Sequence, residues 1–222
     1  MMPEPDPVIA ARICEAAGAH GITIHLREDR RHIHDRDVRR LRSSVRTRIN
    51  LEMSIAPEIV RIACATRPDI TCIVPERREE VTTEGGLDVA GNCRAIARAI
   101  DALHARKIPV SLFIAPDLRQ VRAATEVRAD FIELHTGSYA NARGVTKQQE
   151  LTRLVRGAEF AHTLGLRVNA GHGITLENIA GILKIPHLCE LNIGHSIISR
   201  AVFIGLERAV REMLAAMKGY KN

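Results

Sequence analysis

The chain has no tryptophan, and aromatic residues make up only 3% of its 222 residues. A core of stacked rings is therefore excluded. With 45% apolar residues, the interior must be built from Ile, Val, Leu and Ala, the composition of parallel sheets flanked by helices. Few rings also argues against single-stranded nucleic acid, whose bases stack on aromatic side chains. Cysteine is sparse and unpatterned. Cys14, Cys64, Cys72, Cys93 and Cys189 include no C-x-x-C pair, which excludes a disulfide framework and reads as reduced thiols of a cytoplasmic protein. No apolar run is long enough to span a bilayer. Residues Met1 to Pro7 are acidic and proline-rich, without the apolar segment of a signal peptide. No basic tail or nucleic-acid motif is present, so neither nucleic acid nor membrane is expected as a partner. The net charge of +6 fits either an arginine-rich solvated surface or attraction of anionic small molecules such as sugar phosphates.

What the chain does have is a regular alternation of short apolar runs and amphipathic stretches. Runs rich in Ile, Val, Leu or Phe predict strands at Gly21–Leu26, Ile49–Ser54, Ile70–Val74, Val110–Ala115, Phe131–His135, Arg167–Ala170 and Glu190–Ile193. Between them the spacing predicts helices over Pro7–Ala17, Asp35–Thr47, Pro57–Thr66, Val89–Arg106, Leu118–Val127, Lys147–Leu164, Leu176–Leu183 and Ser199–Lys218. Asp35, Asp117, Thr146 and Thr175 suit helix caps. Strict alternation implies a parallel α/β sheet with helices outside. Eight helices point to a (β/α)8 TIM barrel with seven of its eight strands visible. A doubly wound open sheet is the rival, lowered by the absence of its glycine-rich fingerprint.

The strand ends favour the barrel, whose catalytic groups cluster just after its strands. They carry His25 and Arg27, Glu52, Glu76, Glu133 and His135, Asn169 and His172, then Asn192 and His195. Such groups are costly to bury unless partnered or used. His25 can titrate near neutrality and move protons; Arg27 offers a planar fork to phosphate or carboxylate. His25, His32 and His34 lie close in sequence but lack helical metal-ligand spacing and any Cys partner, so no metal is expected. Glu52, alone in an apolar strand, is either a base with a raised pKa or half of a buried ion pair. The Val81-Thr82-Thr83-Glu84-Gly85-Gly86 stretch is either a lid or a plain connection. In Asn169-Ala170-Gly171-His172-Gly173, small residues around a histidine permit close backbone approach to a ligand. Gly194-His195-Ser196 falls between the last strand and a helix, where backbone amides bind phosphate.

These stretches, GITIHLREDRRHIHDRDV, RINLEMS, VPERREEVTTEGGLDV, FIELHTGSYA, LRVNAGHGIT and ELNIGHSIISRAV, occur in family order, and on them the chain resembles the pyridoxine 5′-phosphate synthases of deoxyxylulose-dependent vitamin B6 synthesis. The resemblance implies a barrel enzyme, octameric in the family. It would condense 3-amino-2-oxopropyl phosphate with 1-deoxy-D-xylulose 5-phosphate, with no metal or organic cofactor. It implies catalytic roles for His25, Glu52 and His172. Arg27, His32 and Thr82 would hold the deoxyxylulose phosphate. Gly173, Gly194 and His195 would hold the amino ketone phosphate, and Glu133 would be a further active-site carboxylate. The chain departs from the family at its start: Met1-Met2-Pro3-Glu4 leads directly into Pro5-Asp6-Pro7, where members carry a strand with N-x-D-H and an arginine-rich segment. The expectation is one barrel domain over residues 1–222, N-terminally shortened. The alternative is an inactive or defective barrel that only binds phosphorylated ligands.

Overall fold

The structure, a computed structural model, describes residues 4–76, 80 and 85–220. Among the described residues, seven strands, β1 (Gly21–Leu26), β2 (Arg48–Met53), β3 (Ile70–Ile73), β4 (Val110–Ile114), β5 (Phe131–His135), β6 (Arg167–Gly171) and β7 (Leu188–Asn192), form one sheet. Their order is sequential and every adjacent pair is parallel. The fold is thus the expected barrel-type α/β arrangement with seven strands. A doubly wound sheet reverses its strand order at a switch point, and this one does not. The sheet curls until its edges approach: the Thr23 hydroxyl donates to Asn192 Oδ1 at 2.8 Å, and Arg48 Nη2 reaches Glu190 Oε2 at 2.8 Å.

Period-two alternation divides each strand between two environments. Ile24 and Leu26, Ile49, Leu51 and Met53, Val110, Leu112 and Ile114, Ile132 and Leu134, and Val168 and Ala170 are all buried. They meet the helices in one continuous core. The paired register places the intervening residues on the inner face: His25 beside Glu52, Glu52 beside Cys72, Cys72 beside Ser111, Phe113 beside Glu133, and Glu133 beside Asn169. Barrel interiors are usually filled by bulky branched residues. This one is polar, and that leaves space for a site.

Helices α1 (Pro7–Ala16), α2 (Asp35–Ser44), α3 (Pro57–Thr66), α4 (Val89–His104) and α5 (Leu118–Glu126) fall within a few residues of expectation; one later helix and three caps need correction. The single helix expected over Ser199–Lys218 is two, α9 (His195–Ile204) and α10 (Leu206–Ala216). Gly205, at φ 83° and ψ 151°, breaks it. The first cap is not Asp35: His34 is the capping residue, and Asp37 accepts its backbone N–H at 3.1 Å. Thr146 lies inside α7 (Gly144–Thr163), and Asn178, not Thr175, precedes α8 (Ile179–Ile182). A short helix, α6 (Gly137–Asn141), was not anticipated. Among the described residues, no helix is long and apolar enough to cross a membrane.

Candidate active site

A cavity of about 1170 Å³ opens inside the curled sheet, lined by His25, Glu52, Phe113, Glu133, His135, His172, Gly173, Asn192, Gly194 and His195 among others. Three strands contribute its central ionisable groups. β1 presents His25 one residue before its end, β2 presents Glu52, and β5 presents Glu133. Each sits on the inner face because its strand neighbours are the Ile, Leu and Met residues that the helices bury.

His25 lies between two carboxylates. Its Nδ1 is 3.6 Å from Glu52 Oε2, and its Nε2 is 3.0 Å from Glu76 Oε1. Burial holds the imidazole below its ordinary pKa, while Glu76 acts in the opposite direction. Glu52 keeps 26% of its side chain accessible, facing the cavity. Desolvation raises its pKa to about 7. Glu52 therefore gains and loses its proton near neutrality with His25 beside it, the condition for efficient general acid–base work.

Glu133 is buried and pushed up to about 8, first by desolvation and then by the neighbouring charge of Glu52. Asn192 Nδ2 donates to its Oε2 at 2.6 Å, and the Cys72 thiol lies 3.6 Å from the same oxygen. Burial also pushes the Cys72 thiol up, so it stays a protonated donor. Two carboxyls in one poorly solvated interior resist ionising together.

His172 occupies the opposite wall with a left-handed backbone, φ 75°, a conformation uncommon outside glycine. Thr136 holds it there: its hydroxyl donates to the carbonyls of Gly171 at 3.0 Å and His172 at 2.5 Å. The His172 ring lies 4.8 Å from that of His135, which packs edge-on to Phe113 at 5.1 Å. Gly137 makes room for this cluster, since a Cβ there would fall 2.7 Å from His135 Cε1.

Gly194 caps α9 and His195 begins it, both on the cavity wall. The first amides of a helix have no intrahelical acceptor, so this end suits an anion. Gly173, at φ 75°, packs where a Cβ would meet Ala140 at 2.8 Å.

The structure thus brings together His25, Glu52, Glu133, His172, Gly173, Gly194 and His195. Arg27 does not line the cavity; its guanidinium is engaged by Asp29 at 3.1 and 3.3 Å. His32 is exposed beside His25, with ring centroids 6.1 Å apart. Thr82 and most of the expected lid, residues 81–84, lie outside the described residues. Sequence reasoning missed Phe113, Cys72 and Thr136. The first two were open to discovery, because period two places them on the same inward face as Ser111 and Ile70.

A family model described as pyridoxal phosphate biosynthesis protein PdxJ matches residues 1–219. The chain is 59% identical to the pyridoxine 5′-phosphate synthase of Synechococcus sp. (strain JA-2-3B'a(2-13)), covering 96% of this chain and 90% of that protein. It is 57% identical to the enzyme of the same name from Microcystis aeruginosa (strain NIES-843 / IAM M-2473), covering 97% and 90%. Among solved structures, KGPDC from Streptococcus mutans superimposes with a TM-score of 0.69 at 12% identity, over 97% of this chain and 92% of the other. That likeness speaks for the fold alone.

Proposed function

The chain belongs to the PdxJ family of pyridoxal phosphate biosynthesis proteins, and from that premise we propose that it joins 3-amino-2-oxopropyl phosphate to 1-deoxy-D-xylulose 5-phosphate. It is an enzyme of vitamin B6 synthesis that closes the pyridoxine ring. The products in this proposal are pyridoxine 5′-phosphate, inorganic phosphate and water.

Such a condensation needs an amine to attack a carbonyl, water to leave, a carbon to lose a proton, and phosphate to depart. Each step moves a proton, and none needs a redox partner. The cavity volume of about 1170 Å³ lies above the range of about 300–1,000 Å³ usual for a single-ligand pocket, which supports a site for two small phosphorylated substrates. In our assignment the amino ketone phosphate lies against Gly173, Gly194 and His195, at the start of α9. The deoxyxylulose phosphate approaches from the side of His25, with Arg27, His32 and Thr82 as its contacts. For Arg27 this requires exchange of Asp29 for phosphate, one charge-assisted pair for another. Glu52 takes protons with His25 as its relay, and His172 donates to departing oxygen. Glu133, protonated at neutral pH, supplies a hydrogen bond to developing negative charge.

The observation that carries this reading is the Glu52–His25 pair, held 3.6 Å apart inside the cavity with Glu52 titrating at about 7. Glu52→Gln keeps the shape and removes the base. Turnover with the two named substrates should fall about 10²-fold or more, with the melting temperature unchanged or raised. Turnover near the parent's would remove Glu52 from the mechanism.

A further inference from the structure

We propose that Glu76 is the positioning residue of His25: it fixes which ring nitrogen carries the proton and aims the other at Glu52. The proposal rests on the acid–base role assigned to His25 above.

Glu76 follows β3 in the Val74-Pro75-Glu76 segment, and its side chain is 4% exposed. A carboxylate so enclosed needs partners, and its two oxygens have separate ones. Oε2 accepts the backbone N–H of Glu28 at 3.0 Å, and Oε1 faces His25 Nε2 at 3.0 Å. The backbone N–H of Glu76 in turn donates to Glu80 Oε2 at 2.9 Å. The carboxylate is therefore clamped from both ends. One oxygen is committed to the turn after β1, and the other can only accept from the ring.

An acceptor opposite Nε2 places the ring proton there. Nδ1 is then the lone-pair nitrogen, and it points at Glu52 Oε2, 3.6 Å away. The opposite tautomer would set a lone pair against a carboxylate oxygen at 3.0 Å and deny Nδ1 to any incoming proton. A buried carboxylate that orients an imidazole and supports its charged form is the logic of nucleophile–base–orienter triads. Here the group served is the Glu52–His25 pair. Glu76 touches no reacting atom in this arrangement; its action is through His25. It does not itself line the cavity, as Glu52, Glu133 and His172 do, which separates its role from theirs.

The charged and titratable groups facing His25 are Glu52 from β2, Glu76 from the segment after β3, and Arg27 and His32 from the turn after β1. Of these, Glu76 is the strongest influence favouring the imidazolium, while Arg27 and His32 oppose it. Removing its charge therefore moves His25 toward lower pKa.

The test is Glu76→Gln, which keeps the bond to the Glu28 N–H, beside Glu76→Asp and His25→Gln, all on the full chain. Steady-state kinetics are read across pH with both substrates. The His25 ring is followed by nitrogen NMR, which distinguishes tautomers. For Glu76→Gln we expect kcat to fall about 10²-fold with KM for each substrate within about threefold, because the orienter is lost and the phosphate contacts are not. The His25 titration should move to lower pH, and the Nε2-protonated form should cease to dominate. Glu76→Asp, retaining charge, should restore the titration toward the parent's. If His25→Gln is inactive while Glu76→Gln keeps parental kcat and an unmoved titration, the positioning role is overturned. Loss of activity in Glu76→Gln with the tautomer and titration unchanged overturns it as well, since the effect is then merely structural. If His25→Gln itself turns over like the parent, the failure lies in the role assigned to His25. Should Glu76→Gln not fold, the tautomer and titration of His25 in Glu76→Asp against the parent decide the matter: an Nε2-protonated ring in both supports the proposal, and an Nδ1-protonated ring in the parent ends it.

Discussion

Gly171 carries no side chain because Glu133 fills that space. A Cβ at Gly171 would fall 2.1 Å from Glu133 Oε1 and 3.2 Å from the Asn192 carbonyl, so the glycine is what lets a buried carboxyl lie against β6. Glu133 is otherwise fixed by Asn192 and Cys72, and it has little freedom to retreat. Gly171→Ala should cost about 1–3 kcal/mol through overpacking and lower turnover at least about tenfold as Glu133 is displaced. Thermal melts and kcat measured together check this. A variant with lowered melting temperature and parental kcat would show that the position of Glu133 is immaterial to the chemistry. The next residue, His172, stores strain of another kind. Its left-handed backbone costs roughly 1–3 kcal/mol and persists because Thr136 holds both flanking carbonyls.

At the scale of elements, Gly205 separates two helices that pack closely on each other. Its φ and ψ, 83° and 151°, lie in a region essentially reserved for glycine. It ends α9, accepts the bond from Ala209 N–H that opens α10, and turns the chain so that Ala209, Val210 and Met213 are buried. A Cβ there would meet nothing within 4 Å, so any cost of substitution is conformational and not steric. Gly205→Ala should therefore destabilise by about 1–3 kcal/mol with little effect on KM, as read by chemical denaturation and steady-state kinetics. An unchanged midpoint would mean that the two helices accept another junction.

The whole molecule bears the cost of a polar interior. Glu133 and Glu52 titrate near 8 and 7 when folded, against an ordinary value of 4.5. Below pH 4.5 both are protonated in the folded and unfolded chains alike. As pH rises from 4.5 toward 8, the unfolded chain releases these protons while the folded one retains them, so stability falls through that window and levels off above it. The melting temperature should decline from pH 5 to pH 8 in the parent. Glu133→Gln should flatten the decline, so that its advantage over the parent is larger at pH 8 than at pH 5. Differential scanning calorimetry at the two values decides this. Equal advantage at both would mean that Glu133 ionises normally in the folded state.

The sequence by itself determined the architecture and most of the ingredients of the site. Alternating β-branched runs and amphipathic stretches dictate a parallel sheet with outer helices, because each element must bury one face and only that layering buries all of them. The same alternation announces that Glu52 and Glu133 face away from the helices, and the matching of GITIHLREDRRHIHDRDV and LRVNAGHGIT marks the family. Helix ends were less legible. The Gly205 break was invisible because an apolar, amphipathic pattern continues across it, and the cap at His34 depends on Asp37 closing back in space. Only the tertiary structure decided which partners each ionisable group has, and hence its protonation. Burial and the approach of β1, β2 and β5 set Glu52 and Glu133 near neutrality, and the chain's return after β3 places Glu76 against His25. These quantities depend on distances of a few ångströms between residues far apart in the chain, such as Glu133 and Asn192, 59 positions apart and 2.6 Å from donor to acceptor. Charge and dielectric act through space, and local sequence carries no record of them.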